Sequence, residues 1–402
     1  MHESNHIEPL VLRNMILKGY QIGRITKDDG LSHRLFLIGE ERLNGLSFQR
    51  LQLAEIVYDV QFGFLEKAMV SGISLLKDLG VNVPKKANGL HVGKELIKSR
   101  WILRKMSEND IKSLPKLKDD KMDVVFEVIY WLMRSAQNIN PSLNGVLALK
   151  QLQLTLKLGL NSEAYTGFLA YGVIIGVGMN NHKEALKMCE MGVEIATLQN
   201  NQSGVLEFGK SVYLPLKISI SEAMEYATRA KEMNYSSGAY ISASEPTVNE
   251  SMLVLASGKN LSEVKELVSD NLGFCQRLKM KDFADFQSVM LENILKLKGE
   301  EVSSDMHQYN LETLRSTQFK IIPAYHGYLS ALNKVHSGDW EDASRELKIS
   351  RKYFQSLAGL FSYSEVQFLT IVVKLMVGLR ENKNVGSIMF NRMVKNLSLI
   401  HI

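Results

Sequence analysis

The sequence predicts an all-α protein, an α-solenoid in which pairs of helices stack along the chain. Two observations carry this prediction: only 7 prolines occur in 402 residues, and apolar residues recur at helical spacing between short turn-forming joints. No convincing run of residues shows the alternation typical of strands. The composition, 45% apolar and 23% charged, is that of an ordinary globular chain, and a net charge of +5 does not by itself indicate a nucleic-acid or membrane partner.

The clearest helix pair lies near the C-terminus. Residues 325–337 predict one helix, Gly338-Asp339-Trp340 predicts a turn, and a second helix is expected from Glu341 to about Leu357. Ala343 follows the turn closely, and its small side chain lets the two helices approach each other. Other apolar residues fit helical spacing in this pair: Leu329, Leu332, Val335, Leu347 and Phe354.

Comparable joints recur along the chain and predict a repeat of about forty residues. A small residue follows each of these joints: Ala68, Ala185, Ala223, Val264 and Ala343. Their numbers differ in turn by 117, 38, 41 and 79, which correspond to three, one, one and two repeat units. The joints missing from this series are expected near Ser107, near Pro141 and from Gly299 to Ser304. The alternative is an ordinary helical protein in which such marks arise by chance.

Three parts of the chain are distinguished. Residues 1–44 are expected to be helical or irregular, residues 45–390 to form the solenoid, and residues 391–402 to be a tail with a non-native end, because Leu397–Ile402 is similar to a translated sequencing adapter. Helices are predicted at residues 45–60, 64–79, 91–105, 122–137, 142–158, 161–178 and 182–198.

A basic insertion is expected at about residues 84–121. The stretch 83–121 holds 11 basic and 5 acidic residues. A solvated face is favoured over a phosphate-binding patch, because few aromatic residues lie among these charges.

No catalytic, cofactor-binding or metal-binding residue is predicted. The glycines Gly172, Gly176 and Gly178 are not followed by the lysine and hydroxyl of a nucleotide loop, so they are expected to allow close helix packing. Gly258-Lys259 lacks the first glycine of such a loop. His326 stands beside Tyr325 and near Tyr328, where it could line a ligand pocket, but a packed histidine is favoured. Three tryptophans are expected to anchor helix contacts: Trp101, Trp131 and Trp340.

The cysteines and apolar segments indicate the compartment. Cys189 and Cys275 lie far apart in the sequence without CxxC spacing, which favours neither a disulfide framework nor a zinc site and suits a reducing cytosol. The first residues are polar, so no signal peptide is predicted. Residues 167–179 and 368–379 are too short to span a bilayer, and Lys374 interrupts the second.

Several segments are similar to a known repeat region. Gly338-Asp339-Trp340-Glu341-Asp342-Ala343 resembles the joint of tetratricopeptide repeats. Residues 76–84, Leu-Lys-Asp-Leu-Gly-Val-Asn-Val-Pro, resemble a joint in the tetratricopeptide-like region of large multidomain bacterial signalling proteins. The blocks 164–185 and 357–362 resemble parts of the same region, and the resemblance covers about residues 50–380.

The resemblance implies that this segment does not itself catalyse a reaction. In those proteins a Ser/Thr kinase or cyclase module and an AAA-type predicted ATPase precede the repeats, and GAF and histidine-kinase or cyclase modules follow them. The resemblance implies that the chain is a non-catalytic scaffold and a fragment of such a protein. Its expected partners are protein segments or other domains of the same polypeptide. Nucleic acid and membrane partners are not expected. The alternative is a ligand-sensing repeat domain of a transcriptional regulator.

Overall fold

The fold is known from a computed structural model that describes residues 9–26, 28–179, 181–214, 217–302, 317 and 319–380. These residues form eighteen α-helices, one short 3₁₀ helix and no strand; the β-type pairing among them is a single bridge between Lys116 and Leu160. The prediction of an all-α protein is confirmed.

The chain divides into two compact units, Met1–Gly167 and Phe168–Ile402. The first unit contains α1 (Pro9–Ile25), α2 (Asp29–Arg42), α3 (Gly45–Gln61), α4 (Leu65–Asp78), α5 (Gly89–Leu103), α6 (Glu108–Lys112), α7 (Asp120–Ile139) and α8 (Pro141–Leu158). The helix α9 (Ala164–Met179) begins in the first unit and ends in the second.

Polar caps determine where helices of the first unit begin. Ser107 and Asp110 form a capping box at the start of α6, where a joint was predicted. Asn140 caps α8, and Pro141 occupies its first turn, where a missing N–H costs nothing. The predicted basic insertion therefore contains a long helix, α5, and a short one, α6. One apolar core joins α3, α4, α7 and α8.

The second unit continues with further helices: α10 (His182–Leu198), α11 (Gly204–Tyr213), α12 (Ile220–Ser236), α13 (Tyr240–Ala256), α14 (Leu261–Arg277), α15 (Lys281–Leu297), α16 (Ile321–His336), α17 (Trp340–Lys352), the 3₁₀ helix Phe354–Leu357, and α18 (Phe361–Arg380). Sequence neighbours pack as pairs, and α11, α13 and α15 also pack in series. The architecture is helical and repeat-like.

Each of the helices α11, α13, α15 and α16 packs on the next member of the series, which ends with α18; together with the preceding α9, these helices begin at nearly even intervals. The first residues of α9, α11, α13, α15, α16 and α18 are 164, 204, 240, 281, 321 and 361, so successive starts differ by 40, 36, 41, 40 and 40. In the first unit α3, α5 and α7 begin at residues 45, 89 and 120, and these starts differ by 44 and 31. The predicted interval of about forty residues is therefore found from α9 onward, and the spacing of α3, α5 and α7 is less regular.

The predicted C-terminal hairpin is confirmed in its main features. Gly338 has φ of 79°, a left-handed conformation that a glycine adopts without steric cost, and it ends α16. The Asp339 N–H then donates to the Lys334 carbonyl at 2.9 Å. The second helix ends at Lys352 rather than near Leu357, because the chain tightens there into the 3₁₀ helix.

The closing helix α18 joins the core of the second unit. Its Val366, Leu369 and Val373 belong to one apolar cluster with residues of α13, α15, α16 and α17. By length and composition alone, α18 is the one described helix that could cross a membrane. The helix has 20 residues, so the prediction that this segment is too short to span a bilayer is wrong, and 28% of its most apolar part is buried. The predicted tail, residues 391–402, lies outside the described residues.

Candidate interaction surface

The helix α5 lies on α8 through a polar contact. Glu95 and Ser99 of α5 are buried, and the Gln153 side chain of α8 donates to the Glu95 carbonyl at 3.0 Å, the Glu95 carboxylate at 3.2 Å and the Ser99 hydroxyl at 3.0 Å. Burial raises the pKa of Glu95, but the hydrogen bond from Lys98 and the charge of Lys150 outweigh it and leave that pKa below its ordinary value. The inward face of α5 is therefore held by hydrogen bonds and an ionised carboxylate.

The outward face of α5 is apolar. Leu90, Ile97 and Trp101 are 84%, 72% and 61% exposed. Positions separated by seven and four residues lie on the same side of a helix, so these side chains form one row. The prediction that Trp101 anchors a helix contact is wrong, because the partner helix α8 takes the opposite, polar side of α5. Trp131 and Trp340 do pack against the cores of their units, as predicted.

Basic side chains border this apolar row. Lys94, Lys98, Arg104 and Lys105 are exposed, and the Lys105 ammonium lies 3.3 Å from the centre of the Trp101 ring. The one acidic residue of α5 is the buried Glu95, which pairs with Lys98. The exposed face of α5 therefore combines large apolar side chains with an excess of positive charge, a combination that the count of charges in residues 83–121 did not reveal.

A second feature is a group of buried oxygens between α16 and α18. The Tyr328 hydroxyl donates to Glu365 at 3.3 Å, whereas the Tyr325 hydroxyl and the second Glu365 oxygen are buried without a hydrogen-bond partner among the described residues. Burial raises the pKa of Glu365 to about 7, and the bond from Tyr328 lowers it only in part. The carboxyl group therefore tends to hold its proton near neutral pH.

His326 is a packed histidine, as favoured from the sequence. Its Nε2 lies 3.4 Å from the Ser330 hydroxyl, and its Nδ1 is buried with no partner in the described part of the chain. Burial lowers the pKa of His326 to about 4, against a smaller opposing effect of Glu292. The ring is therefore neutral at pH 7.

A buried polar network ties α13, α14 and α15 together. Ser251 donates to the Gln287 amide oxygen at 2.8 Å and accepts from Asn271 at 3.1 Å. The Gln287 amide nitrogen in turn donates to Thr247 at 3.3 Å, and Thr247 lies 3.5 Å from the Cys275 sulfur. These groups satisfy one another, so the network specifies how the helices align and leaves little free hydrogen-bonding capacity for a ligand.

Gly172 and the two cysteines singled out from the sequence serve packing, whereas the prediction of close packing is wrong for Gly178, which faces open space. A side chain at Gly172 would meet the Ala185 carbonyl at 2.8 Å and the Cys189 sulfur at 2.5 Å, so α9 and α10 are in close contact there, as predicted. Cys189 and Cys275 are free and buried, and burial raises the pKa of both thiols. Neither thiol has the depressed pKa of a nucleophile.

The described side chains contain no cluster of metal ligands: among them, no group of three or more His, Cys, Asp or Glu is arranged to hold a metal ion. A surface depression of about 370 Å³ is lined by Lys259 together with Ser221, Met224 and Arg229. Comparison with the models of known families and with curated proteins finds no match for the chain.

Proposed function

We propose that this chain is a non-catalytic helical-repeat scaffold, a tetratricopeptide-like α-solenoid from a multidomain bacterial signalling protein, that mediates contacts between proteins or between domains of its parent in the cytoplasm. The observation that carries the proposal is the near-constant interval between the starts of α9, α11, α13, α15, α16 and α18. Repeated helix pairs that stack in this way expose long surfaces, and their usual role is to bind other polypeptides.

Two further observations support a scaffold over an enzyme. The buried polar groups of α13 to α15 are used in contacts between helices, as Ser251, Asn271 and Gln287 show. The histidine nearest the buried Tyr325 and Tyr328 is neutral and packed. The attached ATPase, kinase or cyclase modules remain an inference from the sequence resemblance.

A binding experiment tests the proposal. The full chain, fixed to a resin, is offered the separate ATPase and GAF modules of a multidomain relative, and crosslinks are mapped by mass spectrometry. We expect crosslinks to helices of the second unit. The Ala343→Glu variant, which disturbs the packing of α16 and α17, should lose them, and Lys348→Glu at an exposed position of α17 should keep them. Absence of contact with either module, or ATP hydrolysis by the chain, would contradict the proposal.

A further inference from the structure

The outward face of α5 carries large apolar and basic side chains that are exposed rather than packed within the first unit. At about 100° per residue, the row Leu90, Ile97 and Trp101 spans only about 40° of the helix circumference. Lys94, Lys98 and Lys105 lie on one flank of the row, and Arg104 lies on the other. Soluble proteins do leave single apolar side chains exposed, but three that are aligned, large and 61% to 84% exposed indicate a contact site.

We propose that this face binds the anionic surface of a lipid bilayer, with Leu90, Ile97 and Trp101 among the headgroups and the flanking basic side chains beside lipid phosphates. Helices that lie in a membrane surface have this composition: leucine, isoleucine and tryptophan on the inserted side and lysine or arginine along its borders. Tryptophan is suited to the headgroup region because its ring is apolar while its N–H remains hydrated. The proposal goes beyond the scaffold function and does not depend on it.

The charges distinguish a bilayer from a second copy of the chain. A symmetric contact through this face would place Lys94, Arg104 and Lys105 of one copy against the same residues of the other, and like charges would oppose it. The helix itself offers these three no acidic partner, since Glu95 points inward, is 7% exposed and pairs with Lys98. The charges therefore call for a negative partner.

The shape of the face distinguishes a bilayer from an acidic protein. The apolar row projects from a helix that packs on α8, so a protein partner would need a groove with negative charge along both edges. A leaflet with anionic lipids supplies negative charge on every side of an inserted row and needs no matching groove. Lysine stems are also long enough to keep their ammonium groups at phosphate level while the row inserts.

The interior contact of α5 would hold the row in place on a membrane. The side chain of Gln153 holds Glu95 and Ser99 from the side opposite to the row. The helix is therefore already formed and oriented before any partner arrives, and binding does not have to be coupled to folding.

Co-sedimentation of the full chain with vesicles tests the proposal. Vesicles of phosphatidylcholine with phosphatidylglycerol are compared with vesicles of phosphatidylcholine alone, and tryptophan emission is recorded because Trp101 is exposed while Trp131 and Trp340 are packed. We expect binding to the anionic vesicles at least about tenfold stronger than to the neutral ones. A blue shift of the emission should accompany it, and Trp101→Phe should abolish that shift.

Paired variants separate insertion from charge. Leu90→Ser with Ile97→Ser should weaken binding about tenfold, because both inserted side chains become polar. Lys94→Glu with Lys105→Glu should weaken it by about tenfold or more. The matched controls are Val70→Ser with Leu198→Ser, two exposed apolar residues elsewhere, and Lys259→Glu with Lys348→Glu, two exposed lysines elsewhere; both should bind like the natural sequence.

Three outcomes would overturn the proposal. The first is no binding to anionic vesicles. The second is vesicle binding whose strength is unchanged by Leu90→Ser with Ile97→Ser, because such binding would be non-specific electrostatic attraction. The third is a chain that does not bind vesicles and whose oligomeric state, or whose binding to a protein module, is changed by the same double substitution. The face would then be a contact with protein. Circular dichroism of each variant confirms that these exposed substitutions leave the fold intact.

Discussion

The Tyr328 hydroxyl on α16 donates a hydrogen bond to the Glu365 carboxyl group on α18, and the two oxygens are 3.3 Å apart. The contact joins two helices whose starts are neighbours in the regular series. It leaves the second Glu365 oxygen buried without a partner among the described residues. A buried carboxyl group with one weak hydrogen bond is more stable with its proton than without it, which makes the packing of α18 depend on pH.

The first prediction concerns this dependence. The pKa of Glu365 is about 7 in the folded chain against a reference value of 4.5, so the folded state holds more protons between these values. Its contribution to stability is present below about pH 4.5 and is lost as the pH rises to 7 and above. Raising the pH from 5 to 8 should therefore lower the free energy of unfolding by about 1–3 kcal/mol through this group.

Glu365→Gln should reduce that loss, because glutamine has no proton to release. Urea unfolding followed by circular dichroism at pH 5 and pH 8 measures it. A smaller dependence of the same sign should remain, since burial also raises the pKa of Glu163 to about 7 in the first unit. The control Glu341→Gln, at an exposed position on α17, should keep the full dependence. The prediction would be contradicted if the free energy of unfolding changed equally between pH 5 and pH 8 in Glu365→Gln and in the natural sequence.

His326 should act in the opposite direction. Its pKa of about 4 lies below the reference value of 6.5, so the unfolded chain binds its proton first as the pH falls. Stability from this group is present above about pH 6.5 and is lost as the pH falls toward 4. In His326→Gln the decrease in urea midpoint between pH 6.5 and pH 4.5 should be smaller. The exposed histidine of the α16 terminus, His336, provides the control as His336→Gln, which should change this decrease little.

The contact of α9 with α10 can be tested with two glycines of one helix. Gly172→Ala should destabilise the second unit by about 1–3 kcal/mol, because the added carbon meets the Ala185 carbonyl and the Cys189 sulfur. Gly178→Ala adds the same carbon into open space and should be neutral or stabilising by up to about 1 kcal/mol. Thermal melting measures both. Equal melting temperatures for the two variants would refute the close contact.

The start of α17 should not tolerate a charge. Ala343 is fully buried in the core where α16 and α17 meet, so Ala343→Glu would place a carboxylate among apolar side chains. We expect a loss of about 3 kcal/mol or more, or local unfolding of the hairpin. The exposed control Lys348→Glu should melt near the natural temperature. An unchanged melting temperature for Ala343→Glu would mean that the helix register is wrong.

The buried network should behave as a coupled unit. Ser251→Ala removes the partner of Asn271 and Gln287 and should cost about 1–3 kcal/mol. Adding Gln287→Leu should cost less than the sum of the two single changes, with a coupling of about 0.5–2 kcal/mol. Urea unfolding of the natural sequence, the two single variants and the double variant measures this coupling. Ser269→Ala, at an exposed position of α14, should instead be additive with Gln287→Leu.

Much of the second unit could be read from local sequence. Helix starts and ends follow from neighbouring residues: the Gly338 turn, the Asn181 cap of α10 and the spacing of Ala185, Ala223 and Val264 are all local signals. The resemblance to a signalling repeat region stays a prediction. The Glu365 site could not be predicted in this way, because its hydrogen bond comes from Tyr328, which lies 37 residues earlier in the chain.

The sequence by itself determined that the chain is helical, where most helices begin, and that α9 and α10 meet at small residues. Each of these depends on interactions within a few turns of helix. Only the tertiary structure decided which side of α5 faces outward. The helix carries apolar residues on more than one side, and Gln153 of α8, more than fifty positions away, takes up Glu95 and Ser99 and leaves Leu90, Ile97 and Trp101 exposed.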